Sequence, residues 1–149
     1  MEAFKLIDYG ARQLPVRKHA QDAGMDVFAP REFMIMPGHM REVPLGFGVV
    51  LPDNYMAMTK VRGSSAKLGL WVADNPVDAG YTGEVHAIVW NISAEPITIK
   101  RGERFCQLVV MPCVCCAPEV IKPAAAPESE RGNNRCGSTG GYDVSESTR

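Results

Sequence analysis

Short apolar runs, each closed by turn-forming residues, recur along most of this chain. "EFMIMPG", "FGVVLPDN", "YMAMTKVRG", "VHAIVWNIS", "PITIKRG" and "RFCQLVVMP" all have strand length and stop at Gly, Pro, Asp, Asn or Ser. A helix needs apolar residues three and four apart over a longer stretch. Only "RGSSAKLGL" and the opening residues leave room for even a short one. No heptad and no internal repeat is present. The pattern predicts an all-β chain, a single-domain jelly-roll-like β-barrel. Val85, Ala87 and Val89 alternate with His86, Ile88 and Trp90, which predicts a strand covered on both faces. From Lys122 onward Pro, Ala, Glu and Ser dominate and cannot support a packed core. The expected division is a barrel over residues 1–121 and a flexible C-terminal arm over 122–149.

Composition limits the partners. A chain of 149 residues suits one core, and 16 basic against 17 acidic residues leave a formal net charge of −1. That balance lacks the broad basic footprint of a nucleic-acid binder but allows a small local basic site. The start, "MEAFKLIDYG", brings charges early and does not resemble a signal peptide, and no segment has the length of a transmembrane helix. The expectation is a soluble, intracellular, cytoplasmic protein. Four of the five cysteines crowd into "FCQLVVMPCVCCAP" without zinc-ribbon spacing. They read as small, buried, reduced side chains of a strand.

Four polar stretches separate the apolar runs. "DAGMD" holds Asp22 and Asp26; "VRGSSAK" holds Arg62, two serines and Lys67; "VDAGYTGE" holds Asp78 and Tyr81; "KRGERFCQ" holds Glu103, Arg104 and Gln107. Any one of them alone is satisfied by ordinary turn chemistry, since Gly and Ser turn the chain and Asp bonds its own backbone. Gln107 in an apolar run equally satisfies buried backbone. Arg104 and Glu103 read as a structural ion pair or turn charges, and Lys67 as a solvated lysine. A fifth stretch, "RGNNRCGSTGG", offers a run of backbone and hydroxyl donors.

In this order the stretches resemble the five motifs of the trimeric deoxyuridine triphosphatase (dUTPase) family. "AGMD", "VRGSSAKLGL", "VDAGYTGEVHAIVWN", "RGERFCQLV" and the final "RG…GSTG" are similar to motifs one to five, from Phe4 to Gly140. The resemblance implies hydrolysis of dUTP to dUMP and pyrophosphate with Mg2+. Asp78 matches the general base that deprotonates the attacking water. Tyr81 matches the tyrosine that packs on deoxyribose and leaves no space for a 2′-hydroxyl. The hairpin from Asp78 to Val85 would read uracil with backbone groups. Arg62, Ser64, Ser65 and Gln107 match phosphate ligands, and Asp26 the carboxylate near magnesium, through water. Arg131, Gly137, Ser138 and Thr139 match the closing fifth motif.

Two departures stand out. Gly63 replaces the family's usual serine, and Cys136 replaces the aromatic that stacks on uracil. Arg135 or Tyr142 are the candidates to cover the base instead. The family assembles homotrimers whose active sites are shared between subunits. Two other readings compete. "RGSSAKLGL" also resembles deoxycytidine triphosphate deaminase, but Ile88 stands where that reaction needs an acid–base glutamate. A noncatalytic, dUTP-sensing homologue is the second, and Asp78, Asp26 and Arg62 together weigh against it.

Overall fold

A computed structural model describes residues 4–129. Eleven strands and one short helix follow each other: β1 (Lys5–Asp8), β2 (Gly24–Phe28), β3 (Phe33–Ile35), β4 (Met40–Pro44), β5 (Phe47–Val50), β6 (Tyr55–Val61), α1 (Gly63–Lys67), β7 (Leu70–Val72), β8 (Pro76–Asp78), β9 (His86–Asn91), β10 (Ile97–Ile99) and β11 (Arg104–Pro112). They form four sheets, in the orders β2-β11-β6-β8, β4-β9-β7, β1-β5 and β10-β3, and every pairing is antiparallel. The all-β expectation holds: β3, β5, β6, β9, β10 and β11 fall on the six apolar runs, whereas β1, β2, β4, β7 and β8 lie outside them.

Period-two alternation builds the core. Val27, Val43, Phe47, Val49, Leu70, Val89, Phe105 and Leu108 are all buried. Each such side chain stabilises the fold by about 1.5–3 kcal/mol relative to exposure. Phe33 and Phe105 meet edge to face, with ring centroids 5.4 Å apart. One polar side chain is embedded among them. Asn91 is fully buried, donates from Nδ2 to the carbonyls of Ile35 and Glu95, and accepts from the Ser93 amide and hydroxyl. It ties the end of β9 to β3 and to the loop leading into β10.

Several expectations change. The opening residues form β1 rather than a helix, because Leu6 and Ile7 pair with β5. "DAGMD" is not a loop between strands: Gly24 to Asp26 lie inside β2. On β9 Ala87, Val89 and Asn91 are buried, while His86, Ile88 and Trp90 are half-exposed, so within one chain one face is covered. The register sets Trp90 between Met40 and Trp71, both about half exposed, so the outer face of this sheet is apolar at that end, with the Glu42–His86 pair at the other. Cys106 is buried as expected, but Cys113 is half-buried and Cys115 and Cys116 are exposed, because they lie beyond the end of β11.

The chain divides into two compact units, Met1–Cys115 and Cys116–Arg149. In the described part of the second, the one regular element is a 3-10 turn, Pro123–Ala125. Among the described residues no helix is long and apolar enough to cross a membrane.

Candidate active site

Two polar clusters emerge from the sheets, and they lie apart. The first grows from β2, β6 and β11. Gln107 pairs with Asp26 on one side and Lys60 on the other, so Asp26 and Gln107 share one face of the sheet. Gly24 has no side chain to block that face: a Cβ there would stand 3.2 Å from that of Gln107. Asp26 is buried and accepts from Arg62 Nε at 2.8 Å, from Arg104 Nη1 at 3.1 Å and from Gln107 Nε2 at 3.5 Å. Two guanidinium groups are thus oriented by one carboxylate.

Arg62 stands just beyond β6, at the start of α1, and its Nη1 also donates to the Arg104 carbonyl at 3.2 Å and approaches Ser64 Oγ at 3.4 Å. Ser64 and Gly63 are exposed and Ser65 is buried. An open cleft of about 350 Å³ borders this cluster, with Lys18, Arg62 and Arg104 facing Asp22 and Asp26. Lys67 is exposed. Cys106 next to Gln107 is inert: burial pushes its thiol well above the ordinary range, against the smaller opposing pull of Arg62.

Arg104 is the residue that the sequence does not offer as a ligand. Glu103 is not its partner, because the Glu103 carboxylate accepts from the Lys100 amide and closes the turn before β11. A β-bulge lies between Arg104 and Cys106, where Arg104 opposes Phe28 and Cys106 opposes Val27. The extra residue, Phe105, points into the core. Arg104 is therefore returned to the face of Gln107 and Asp26.

The second cluster surrounds the β8–β9 loop, which is not the hairpin expected there, because β8 pairs with β6 and β9 with β4 and β7 rather than with each other. Asp78 ends β8 and is exposed; Tyr81 is 46 % exposed, its amide donating to the Asp78 carbonyl and its hydroxyl to the Glu84 carbonyl at 2.8 Å. Val85 is buried and bonded in both directions to the strand opposite: its amide donates to the Phe47 carbonyl, and its own carbonyl accepts from the Leu45 amide. Another cleft of about 350 Å³ is lined here by Asp78, Tyr81, Glu84, Val85, His86 and Glu42 among others. His86 Nδ1 lies 2.7 Å from Glu42.

Asp78 is opposite Met56 near the start of β6, whereas Arg62 follows its last residue. Six residues of strand at about 3.3 Å each put roughly 20 Å between the two clusters. Of the residues expected in the site, the fold brings together Asp26, Arg62, Ser64 and Gln107, and separately Asp78, Tyr81 and Val85. Arg131, Arg135, Cys136, Gly137, Ser138, Thr139 and Tyr142 lie outside the described residues. Among the described residues no group of three or more His, Cys, Asp or Glu side chains is arranged to hold a metal ion.

Comparison with known proteins places this arrangement. The family model dUTPase matches residues 11–140. A deoxyuridine 5'-triphosphate nucleotidohydrolase of Leifsonia xyli is 38% identical over 141 residues, covering 91% of this chain and 90% of its own. Among solved structures, a point mutant of the Staphylococcus bacteriophage 80alpha dUTPase with dUpNHpp aligns with a TM-score of 0.86 at 22% identity, over 94% of this chain and 99% of that one. A mutant dUTPase from phage phi11 of S. aureus, described with a structural Mg(II) ion, aligns with a TM-score of 0.71 at 20% identity, over 87% and 99%. The family match runs from the turn after β1, through both clusters, to the last glycines of the tail, and on that ground the chain belongs to the dUTPase family.

Proposed function

We propose that the chain carries out its family's reaction, hydrolysis of dUTP to dUMP and pyrophosphate, at sites each built from the two clusters of neighbouring copies. The roughly 20 Å between Asp78 and Arg62 along β6 is the observation that carries this reading. A base must touch the water that attacks the α-phosphorus, while the cations must hold phosphates one or two bonds further on. Within one chain these demands cannot both be met. A homotrimer with shared sites meets them, and the apolar outer face around Met40, Trp71 and Trp90 is suited to burial in such an assembly.

In the cluster at the β8–β9 loop, Asp78 takes the proton of the water as its oxygen bonds to the α-phosphorus and the bond to the bridging oxygen of pyrophosphate breaks. The exposed position of Asp78 at the end of β8 leaves its carboxylate accessible to that water. Tyr81 presents its ring to the sugar and excludes a 2′-hydroxyl, and the backbone up to Val85 reads the base. In the cationic cluster, Arg62, Gln107 and Ser64 hold the triphosphate, with backbone at Gly63 and Ser65, and Arg104 adds a second guanidinium. To the arm, residues 122–149, we assign phosphate donors at Arg131, Gly137, Ser138 and Thr139, with Cys136 in the sequence place of the family's base-covering aromatic.

Magnesium belongs to the substrate in this scheme. With no protein cage among the described residues and two guanidinium groups on Asp26, the donor set suits an ion that arrives on the triphosphate, with Asp26 reached through water. Such an ion draws charge off the phosphates. We assign the reaction to the cytoplasm, in keeping with free thiols at Cys106, Cys113, Cys115 and Cys116. The test is pyrophosphate release from each deoxynucleoside triphosphate, with and without magnesium. Release from dUTP alone is expected; ammonia from the cytidine nucleotide, or dUTP binding without turnover, refutes the proposal.

A further inference from the structure

The β8–β9 loop that carries Tyr81 is anchored unevenly. Its base is in a ladder: Val85 bonds Phe47 and Leu45 through its amide and carbonyl, and the Gly46 amide donates to Glu84 Oε1 at 2.7 Å. Its tip depends on one side chain from elsewhere. Tyr9, just after β1, donates its hydroxyl to the Thr82 carbonyl at 2.7 Å. The Tyr9 backbone is fixed in turn, since its amide bonds the Gly46 carbonyl and Asp8 Oδ1 accepts from the Gly10 and Ala11 amides.

The space under this contact is cleared by a single residue. A Cβ on Gly48 would stand 2.7 Å from the Gly83 carbonyl oxygen and 2.8 Å from the Tyr9 ring. The bare backbone of β5 therefore admits both the tyrosine and the loop. On the loop itself the Tyr81 ring lies over Gly83, where a Cβ would be 2.5 Å from its hydroxyl oxygen. The Tyr9 hydroxyl thus holds the peptide between Tyr81, which lines the cleft, and Gly83, on which its ring lies.

We propose that Tyr9 is a positioning residue for sugar discrimination, acting through Tyr81 by pinning the Thr82 carbonyl. The inference rests on the proposed role of Tyr81 against the 2′-hydroxyl. A tip held in one position presents a rigid ring, and a tip freed at Thr82 lets the ring retreat and admit ribose.

Tyr9→Phe keeps the ring over Gly48 and removes only the hydroxyl. Steady-state kinetics with dUTP and UTP on the full chain should show the ratio of their kcat/KM values falling about three- to tenfold, the effect of one ordinary hydrogen bond. The change should come through a lower KM for UTP and a higher KM for dUTP, with kcat for dUTP nearly constant and the melting temperature little changed. Tyr81→Ala, measured alongside, should lose more discrimination, and adding Tyr9→Phe to it should cost nothing further.

If Tyr81→Ala leaves discrimination intact, the reading of Tyr81 falls, and the role of Tyr9 falls with it. If Tyr81→Ala loses discrimination but Tyr9→Phe keeps the wild-type ratio, the role of Tyr9 alone is refuted. A Tyr9→Phe chain that loses only thermal stability, or that lowers kcat for both nucleotides equally, also refutes it.

Discussion

Complementation between two inactive variants tests the shared site directly. Asp78→Asn disables the cluster at the β8–β9 loop, and Arg62→Ala disables the cationic one. Each variant alone should lose at least about a hundredfold in kcat/KM, given the usual contribution of a positioned base or a charged phosphate ligand. Because the clusters lie roughly 20 Å apart along β6, the proposed site takes Asp78 from one chain and Arg62 from its neighbour. Co-assembled from equal amounts, a site is intact when its β8–β9 loop comes from the Arg62→Ala chain and its cationic cluster from the Asp78→Asn chain. Random assortment around a closed ring makes that true of about a quarter of sites. Pyrophosphate release from dUTP by co-expressed, doubly tagged complexes should therefore recover to about a quarter of wild-type turnover. The separately purified variants, mixed without exchange, provide the baseline. Activity that stays at that baseline in verified mixed complexes refutes the two-chain site.

Other consequences can be measured separately. Gly63 has no positive φ and nothing within 4 Å of a built Cβ, so Gly63→Ser should fold normally; restoring the family's hydroxyl beside Arg62 should lower KM for dUTP by a few-fold, and an unchanged or raised KM argues that a backbone amide already fills that role. Asn91→Ala removes four hydrogen bonds at a fully buried position and should destabilise the chain by about 2–4 kcal/mol in a denaturant titration. A loss below about 0.5 kcal/mol would show that water replaces the amide there. Deleting residues 131–149 should leave a folded barrel by circular dichroism with severely reduced kcat/KM, and unfolding of that truncation would make the arm structural.

How much is legible from the chain differs between strand types. β6, β9 and β11 can be read because their apolar residues alternate or run together under local turn signals. β2 is hidden because its middle residue is a carboxylate, and an aspartate inside a strand looks like a turn until its partners are known. Those partners, Arg62 and Arg104, lie 36 and 78 residues away in the chain. β4 is hidden in the same way by two exposed charged residues, Arg41 and Glu42. The site motifs are legible as an ordered set, but their distribution over two separate clusters is not, since it depends on the β6–β8 register. Arg104 escapes the sequence reading for a geometric reason. Its neighbour Glu103 looks like a partner, whereas the turn hydrogen bond takes Glu103 away and the bulge turns Arg104 across the sheet.

That bulge lets one short stretch serve two masters. In a regular pleat, adjacent residues face opposite ways and residues three apart cannot share a side. Here Phe105 and Cys106 both go inward, while Arg104 and Gln107 on either flank both go to the side of Asp26. Deleting Phe105 would leave Arg104 and Gln107 two positions apart on a plain ladder, still opposite Phe28 and Asp26, while the interior lost the ring that packs against Phe33. Inserting a residue there would do the reverse, sparing the ring and swinging Arg104 away from Asp26. Between Gly102 and Leu108, chain length therefore acts on stability and on the Arg104–Asp26 pairing through separate routes, and an engineer can move one without moving the other.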